Sequence, residues 1–175
     1  MRESSLDEFE RIHVKPNAGR TLIVGSQVYG GKEDRRLRYR DVVGMDMLAG
    51  PGVDVVIDLE EPLPEGLGQF DHVECMSVLE HSRRPWLLAG NLERLMRPGA
   101  TLFLTIPFIW RFHGYPNDHW RMTPEALLHV FPNIEWHQRM FASDKLSDQP
   151  KVKAIKSAGH PYLSRTETVG FGVRQ

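Results

Sequence analysis

This chain of 175 residues contains a single cysteine, Cys75, so no internal disulfide staples it and a reducing compartment suits it. Cys75 lies inside an apolar run, where a thiol is expected to be buried and inert rather than nucleophilic. No apolar stretch approaches the length needed to cross a bilayer. The opening residues, MRESSLDEFE, do not follow the charged, apolar, small-residue order of a secretory signal. A cytoplasmic protein with no membrane partner is the expectation. Neither sign of charge dominates: 22 Lys and Arg against 23 Asp and Glu leave a formal net charge of −1. That balance gives no overall field to draw the chain to nucleic acid, and none is expected as a partner. The local cluster Lys32, Arg35, Arg36, Arg38 and Arg40 reads as a solvated helix face before it reads as a binding surface. Repeats and low-complexity tracts are also lacking. The length fits one domain over residues 1–175, with a core of its own.

Three short apolar, β-branched runs stand out: TLIVGS, VVGMDM and VDVVIDLE. Each ends in a glycine or a carboxylate. Buried parallel strands have this form, because both sheet faces are covered and only the carboxyl ends reach a ligand. The first run ends at Gly25, where backbone can approach a ligand closely, and the second at Asp46. An acidic side chain about twenty residues after a glycine turn is placed to accept from ribose hydroxyls. The third ends at Asp58, on the same edge. Turn formation is the ordinary role of an Asp at a strand end. Two such residues on successive strand ends outline a nucleoside-cofactor site.

The remaining elements follow from pattern. Ser5 and Glu8 predict a capping box for a helix over 5–12, with Leu6 and Phe9 on one face. Strands are predicted over 21–25, 42–47, 53–57 and 70–77, with a polar, arginine-rich loop and an exposed helix between the first two. The turn Ala49-Gly50-Pro51-Gly52 between the second and third strands is too short for a helical crossover. Pro85 opens a helix over 85–96 with Leu88, Leu92 and Leu95 on one face, and Arg97-Pro98-Gly99 ends it. The most hydrophobic run, 101–106, is the expected central strand. A long loop over 107–122 precedes a helix over 124–130, capped by Thr123. Strands over 134–141 and 168–173 complete a sheet. Residues 142–165, broken by Pro150 and Pro161, read as a loop, an insertion or a lid.

Three stretches carry a family resemblance: FDHVECMSVLEH (70–81), LMRPGATLFLTIPF (95–108) and PNDHWRMTPEAL (116–127). Over about residues 20–131 the order of motifs resembles the class I S-adenosylmethionine-dependent methyltransferases, most closely the methyltransferase type 11 group. The fold implied is α/β: a Rossmann-like three-layer sandwich with a mostly parallel central sheet of about seven strands. The implied cofactor is S-adenosyl-L-methionine. By resemblance, Gly25 and Ser26 would line its methionine moiety, Asp46 hold the ribose, and Met47 pack on adenine. Asp58 and Leu59 would meet the adenine edge, and Met76 and Ser77 the sulfonium side. The sequence departs from the family after the first strand. In place of a G-x-G-x-G turn it reads Gly25-Ser26-Gln27-Val28-Tyr29-Gly30-Gly31. Side chains at Gln27 and Val28 stand where backbone approaches the cofactor in that family.

Methyl transfer from a sulfonium chiefly needs an aligned acceptor, with a general base only when the acceptor must lose a proton. Candidates are His81, beside Glu80, and His113 and Tyr115 in the aromatic loop. His81 has an ordinary alternative in helix capping, and the loop's aromatic residues in packing. Asp118 and Arg121 are placed to pair. His113, Asp118 and His119 match no standard metal-ligand spacing, so no metal is expected. The acceptor implied is a small molecule or a peptide. Two other readings compete: a methyltransferase-like binding module without turnover, and a nicotinamide-dependent oxidoreductase, which lacks its G-x-G-x-x-G fingerprint.

Overall fold

The computed structural model describes residues 4–16, 18–31, 33–114, 116–143 and 166–175. Among them, the β-branched runs form a seven-stranded sheet: β1 (Thr21–Val24), β2 (Val42–Asp46), β3 (Val55–Val56), β4 (Phe70–Met76), β5 (Met96–Ile109), β6 (Ile134–Ser143) and β7 (Thr166–Arg174). The order is β3-β2-β1-β4-β5-β7-β6. β1 pairs in parallel with β2 and β4, and β4 with β5, whereas β7 runs antiparallel to both β5 and β6. The Rossmann-like, mostly parallel arrangement implied by the family resemblance is present.

Side-chain alternation divides the core into two unequal layers. On one face Leu22, Val24, Val73, Cys75, Leu102 and Leu104 lie under α2 (Pro85–Leu95) and α3 (Leu127–Val130), which contribute Leu88, Leu92, Leu95 and Leu127. Cys75 is fully buried, and burial pushes its thiol well above the ordinary range. The other face carries a smaller cluster around Phe103 and Val169, met by Phe9 of α1 (Ser5–His13), with the Phe9 and Phe103 rings 5.7 Å apart. This layer is thin.

Several local expectations need correction. The capping box of α1 starts one residue earlier than expected: Ser4 is the N-cap and Asp7, not Glu8, closes the box. Asp7 fills that place because its shorter carboxylate still reaches the Ser4 amide, at 3.2 Å. The described residues between β1 and β2 hold no α-helix, only a 3₁₀ turn over Arg35–Arg38. Its arginines do not form a solvated face, because other elements supply carboxylates. Arg35 bridges Glu10 of α1 (2.9 Å) and Glu74 of β4 (2.6 Å), Arg36 pairs with Asp34 and Asp54, and Arg38 with Glu10 and Glu33. The predicted 124–130 helix is a turn that becomes helical only at Leu127, although Thr123 Oγ1 does accept from the Ala126 amide.

β2 and β3 are parallel neighbours despite their short connection. Asp54 makes this possible by clamping Gly44, its amide donating to Gly44 O (2.8 Å) and its carboxylate accepting from Gly44 N (2.7 Å). Pairing then needs only two residues of β3. α2 runs directly into β5, so Arg97-Pro98-Gly99 begins a strand longer than the predicted 101–106. Of the segment 142–165, Ala142 and Ser143 end β6, and the rest lies outside the described residues.

Candidate functional site

Parallel strands that share a direction expose their carboxyl ends together, and here those ends open into two adjoining clefts. The first, of about 350 Å³, is lined by Gly25, Asp46, Met47, Asp58 and Leu59. The second, of about 550 Å³, reaches the thinly covered face and takes in Ser26, Glu74, Met76, Thr105, Trp110 and His113. Gly25, Ser77 and His81 line both and form the seam.

Backbone geometry concentrates at that seam. Gly25 has φ +69°, and a Cβ there would sit 2.6 Å from Val78 Cγ2. Both conformation and space demand glycine. Gly25→Ala is expected to cost about 1–2 kcal/mol for the left-handed conformation alone, plus the clash. Urea denaturation of Gly25→Ala with and without Val78→Ala separates the two contributions. The second substitution relieves the clash and leaves the backbone cost. Ser77 is the non-glycine residue with positive φ among those described, at +53°, held by its amide donating to Thr105 O at 2.9 Å. Such backbone settings persist where the surroundings enforce them, and cluster at ligand sites.

The chain after Gly25 follows the turn beyond β2. Val28 donates to Pro51 O (2.7 Å), and Gln27 Nε2 to Ala49 O (3.3 Å). Gly52, at φ +88°, lets that turn approach Ser26 O to 2.5 Å of where a Cβ would stand. Val28 is therefore drawn toward the β2–β3 side, whereas Gln27 still lines both clefts. Asp46 holds this path: Oδ2 accepts from Gln27 N at 3.1 Å and Oδ1 from Leu48 N at 3.0 Å. Each oxygen keeps a second lone pair for a ligand. Asp58 Oδ1 accepts from Glu60 N at 2.9 Å, the turn-forming role, while lining the first cleft.

β5 runs on to Ile109, so the expected 107–122 loop begins at Trp110; its described residues close the far side and are tied to the segment after β4. His119 N donates to Glu80 O (2.7 Å) and Trp120 Nε1 to Ser82 O (2.8 Å). His81 Nδ1 hydrogen-bonds Asn117 O. Trp120 is the packed anchor, whereas Phe112 is exposed and Trp110 borders the second cleft. The expected Asp118–Arg121 pair is present at 2.7 Å, and the guanidinium holds the Asp118 carboxyl well below the usual range. Burial pushes His81 below the ordinary imidazole value. The rings of His81 and His113 meet edge-on, centroids 5.1 Å apart, and both approach buried Glu80. Tyr115 lies outside the described residues. Glu74, which borders the second cleft, escaped the sequence reading. A carboxylate amid the apolar run of FDHVECM was its signal.

No protein-family model matches the sequence. A stretch of 50 residues is 40% identical to the ubiquinone biosynthesis O-methyltransferase of Xanthomonas oryzae pv. oryzae, taking in 29% of this chain and 21% of that one. The match thus spans about a fifth of the relative's length. Among solved structures, a chain of the complex between the Haloferax volcanii Trm112 methyltransferase activator and a methyltransferase superposes with a TM-score of 0.68 at 12% identity, over 97% of this chain and 88% of that one. Burkholderia thailandensis 1,6-didemethyltoxoflavin-N1-methyltransferase, solved with that compound and S-adenosylhomocysteine, gives 0.63 at 13% identity, over 90% and 71%.

The fold is that of the class I methyltransferases. At such identities the likeness concerns fold, and the same class I fold also serves other chemistry. The (4+2)-cyclase SpnF superposes with a TM-score of 0.63 at 17% identity, over 96% of this chain and 79% of that one. No described helix is long and apolar enough to cross a membrane.

Proposed function

We propose that this chain binds S-adenosyl-L-methionine and moves its methyl group to a small-molecule or peptide acceptor. The observation that carries the reading is Asp46, a carboxylate at the end of β2, facing the first cleft with acceptor capacity left on both oxygens. The cleft fits an adenosine. Asp46 accepts from the ribose hydroxyls, Met47 covers the adenine, and Asp58 and Leu59 meet its edge. Gly25 and Ser77, at the seam, let the methionine end pass toward Ser26 and Met76, which border the second cleft. The bound cofactor supplies a methyl already activated on sulfonium, so the protein's work is alignment. The second cleft then receives the acceptor, with His81 and His113 lining it as candidate catalytic residues and Tyr115 as a further candidate. The lone buried thiol suits the cytoplasm.

A second reading, a binding module without turnover, is favoured by one observation. No α-helix lies between β1 and β2 among the described residues, so no helix N-terminus after β1 offers amides to the cofactor's carboxylate. Calorimetric titration with S-adenosylmethionine, S-adenosylhomocysteine and NAD tests both. Binding of the two sulfur compounds without NAD is the expected result. NAD binding in their place would overturn the reading, and tight binding with no methyl transferred to any acceptor would favour the module.

A further inference from the structure

Glu80 and His81 lie in the segment after β4, and His113 lies more than thirty residues later in the loop after β5. The fold brings one donor atom from each to within 4.8 Å of the others. His81 Nε2 is 3.6 Å and His113 Nε2 3.8 Å from the same carboxylate oxygen, Glu80 Oε1. These separations are too long for hydrogen bonds. They are close to the spacing of ligands around one shared ion, where each donor sits about 2.0–2.2 Å from the centre.

The outer side of the His81 ring is already hydrogen-bonded, and that of the His113 ring faces a carboxylate. A carbonyl oxygen can only accept, so the contact of His81 Nδ1 with Asn117 O puts a proton on Nδ1. In the neutral ring that leaves the Nε2 lone pair facing Glu80. Asp118 Oδ2 stands 3.0 Å from His113 Nδ1 and favours the same tautomer there. Asp118 is itself fixed by Arg121 and by the His113 amide, which donates at 2.9 Å. Two imidazole lone pairs and a carboxylate oxygen thus converge on one point. An oxygen partner on the second nitrogen of each ring is how metal-ligating histidines are oriented.

We propose that Glu80, His81 and His113 form a binding site for one divalent transition-metal ion. Two imidazoles and a carboxylate suit Zn²⁺, Mn²⁺, Fe²⁺ or Co²⁺ and leave coordination positions open. Glu80 is buried, while the two histidines are partly exposed, with side-chain accessibilities of 16% for His81 and 28% for His113. This gives an ion a route in. The site borders the seam between the clefts, where an acceptor must be held for in-line transfer. The acceptor class it recruits is an oxygen donor, a hydroxyl or a phenol. That assignment of acceptor rests on the methyl-transfer reading; the metal site itself does not.

The test is equilibrium dialysis of the untagged chain, first stripped with chelator, against Mn²⁺, Zn²⁺ or Co²⁺, followed by metal analysis and the visible spectrum of the Co²⁺ form. One ion per chain is expected, with a rise in melting temperature. His113→Ala and His81→Ala should each weaken binding at least tenfold and abolish that rise, and exposed His129→Ala should match wild type. Where His81→Ala melts without a cooperative transition, His113→Gln carries the test, because its position is on a loop. Failure of all three ions to bind stoichiometrically, or wild-type affinity in folded His113→Ala, overturns the proposal. Titration of the stripped protein with S-adenosylhomocysteine reads the cofactor proposal separately, so failure of either is recognised independently.

Discussion

Asp46→Ala is expected to weaken S-adenosylhomocysteine binding by about 1.5–3 kcal/mol, the scale of a hydrogen bond to a charged group. That is roughly a ten- to hundredfold rise in Kd by calorimetry. The loss has two sources. One is the carboxylate proposed to face the ribose. The other is the path of the loop after β1, since Asp46 accepts from Gln27 N and Leu48 N. Asp46→Asn divides them, because the amide oxygen can still hold one backbone N–H while the other position becomes a donor. A loss with Asp46→Asn close to that with Asp46→Ala assigns the effect to ribose recognition and loop closure together. Asp58→Asn should cost less than either, because an amide oxygen still accepts from the adenine amine. Unchanged affinity in folded Asp46→Ala, or a larger loss for Asp58→Asn, would reject this placement of the nucleoside.

The strand ends that line the first cleft were legible because their signal is local. A β-branched run ending in Gly25, Asp46 or Asp58 names both the strand and the edge it reaches. Ser77 was legible as a strand end, but its left-handed backbone was not, since it depends on the amide reaching Thr105 on the neighbouring strand. The first loop was legible as a departure and not as a path. Its course is set by contacts of Gln27 and Val28 with the turn beyond β2, where Gly50 and Gly52 leave the room. The arginine cluster misled for a similar reason. Charge patterning reads neighbours in sequence, whereas the partners of Arg35 are Glu10 and Glu74 on two other elements. The approach of His113 to Glu80 and His81 is of the same kind. Spacing rules search short windows, and this trio is closed by the loop after β5 folding back onto the end of β4.

The largest stability effect is expected at Glu74. It is fully buried in the middle of β4 and accepts from Arg35 Nε at 2.6 Å and from the Tyr39 hydroxyl. Burial alone would raise its pKa. The hydrogen bond and charge of Arg35 and the Tyr39 hydroxyl, with the His72 ring 3.9 Å away, outweigh this and hold it at about 2, against an ordinary 4.5. Glu74→Gln strands the Arg35 guanidinium in the interior, and breaking a buried pair from one side costs about 3–5 kcal/mol. Glu10, 2.9 Å from Arg35, places the loss at the lower end. Glu74→Gln combined with Arg35→Met should recover much of it, because the uncompensated charge is then gone. The pH dependence has a definite sign. A carboxylate whose pKa is depressed by folding stabilises above its unfolded value and loses that contribution as pH falls. The window here runs from about 4.5 down to about 2. Urea midpoints taken at about pH 7 and about pH 3 should therefore fall further for wild type than for Glu74→Gln. Equal falls in the two proteins would mean that other carboxylates carry the acid sensitivity, and that the Glu74–Arg35 pair contributes little.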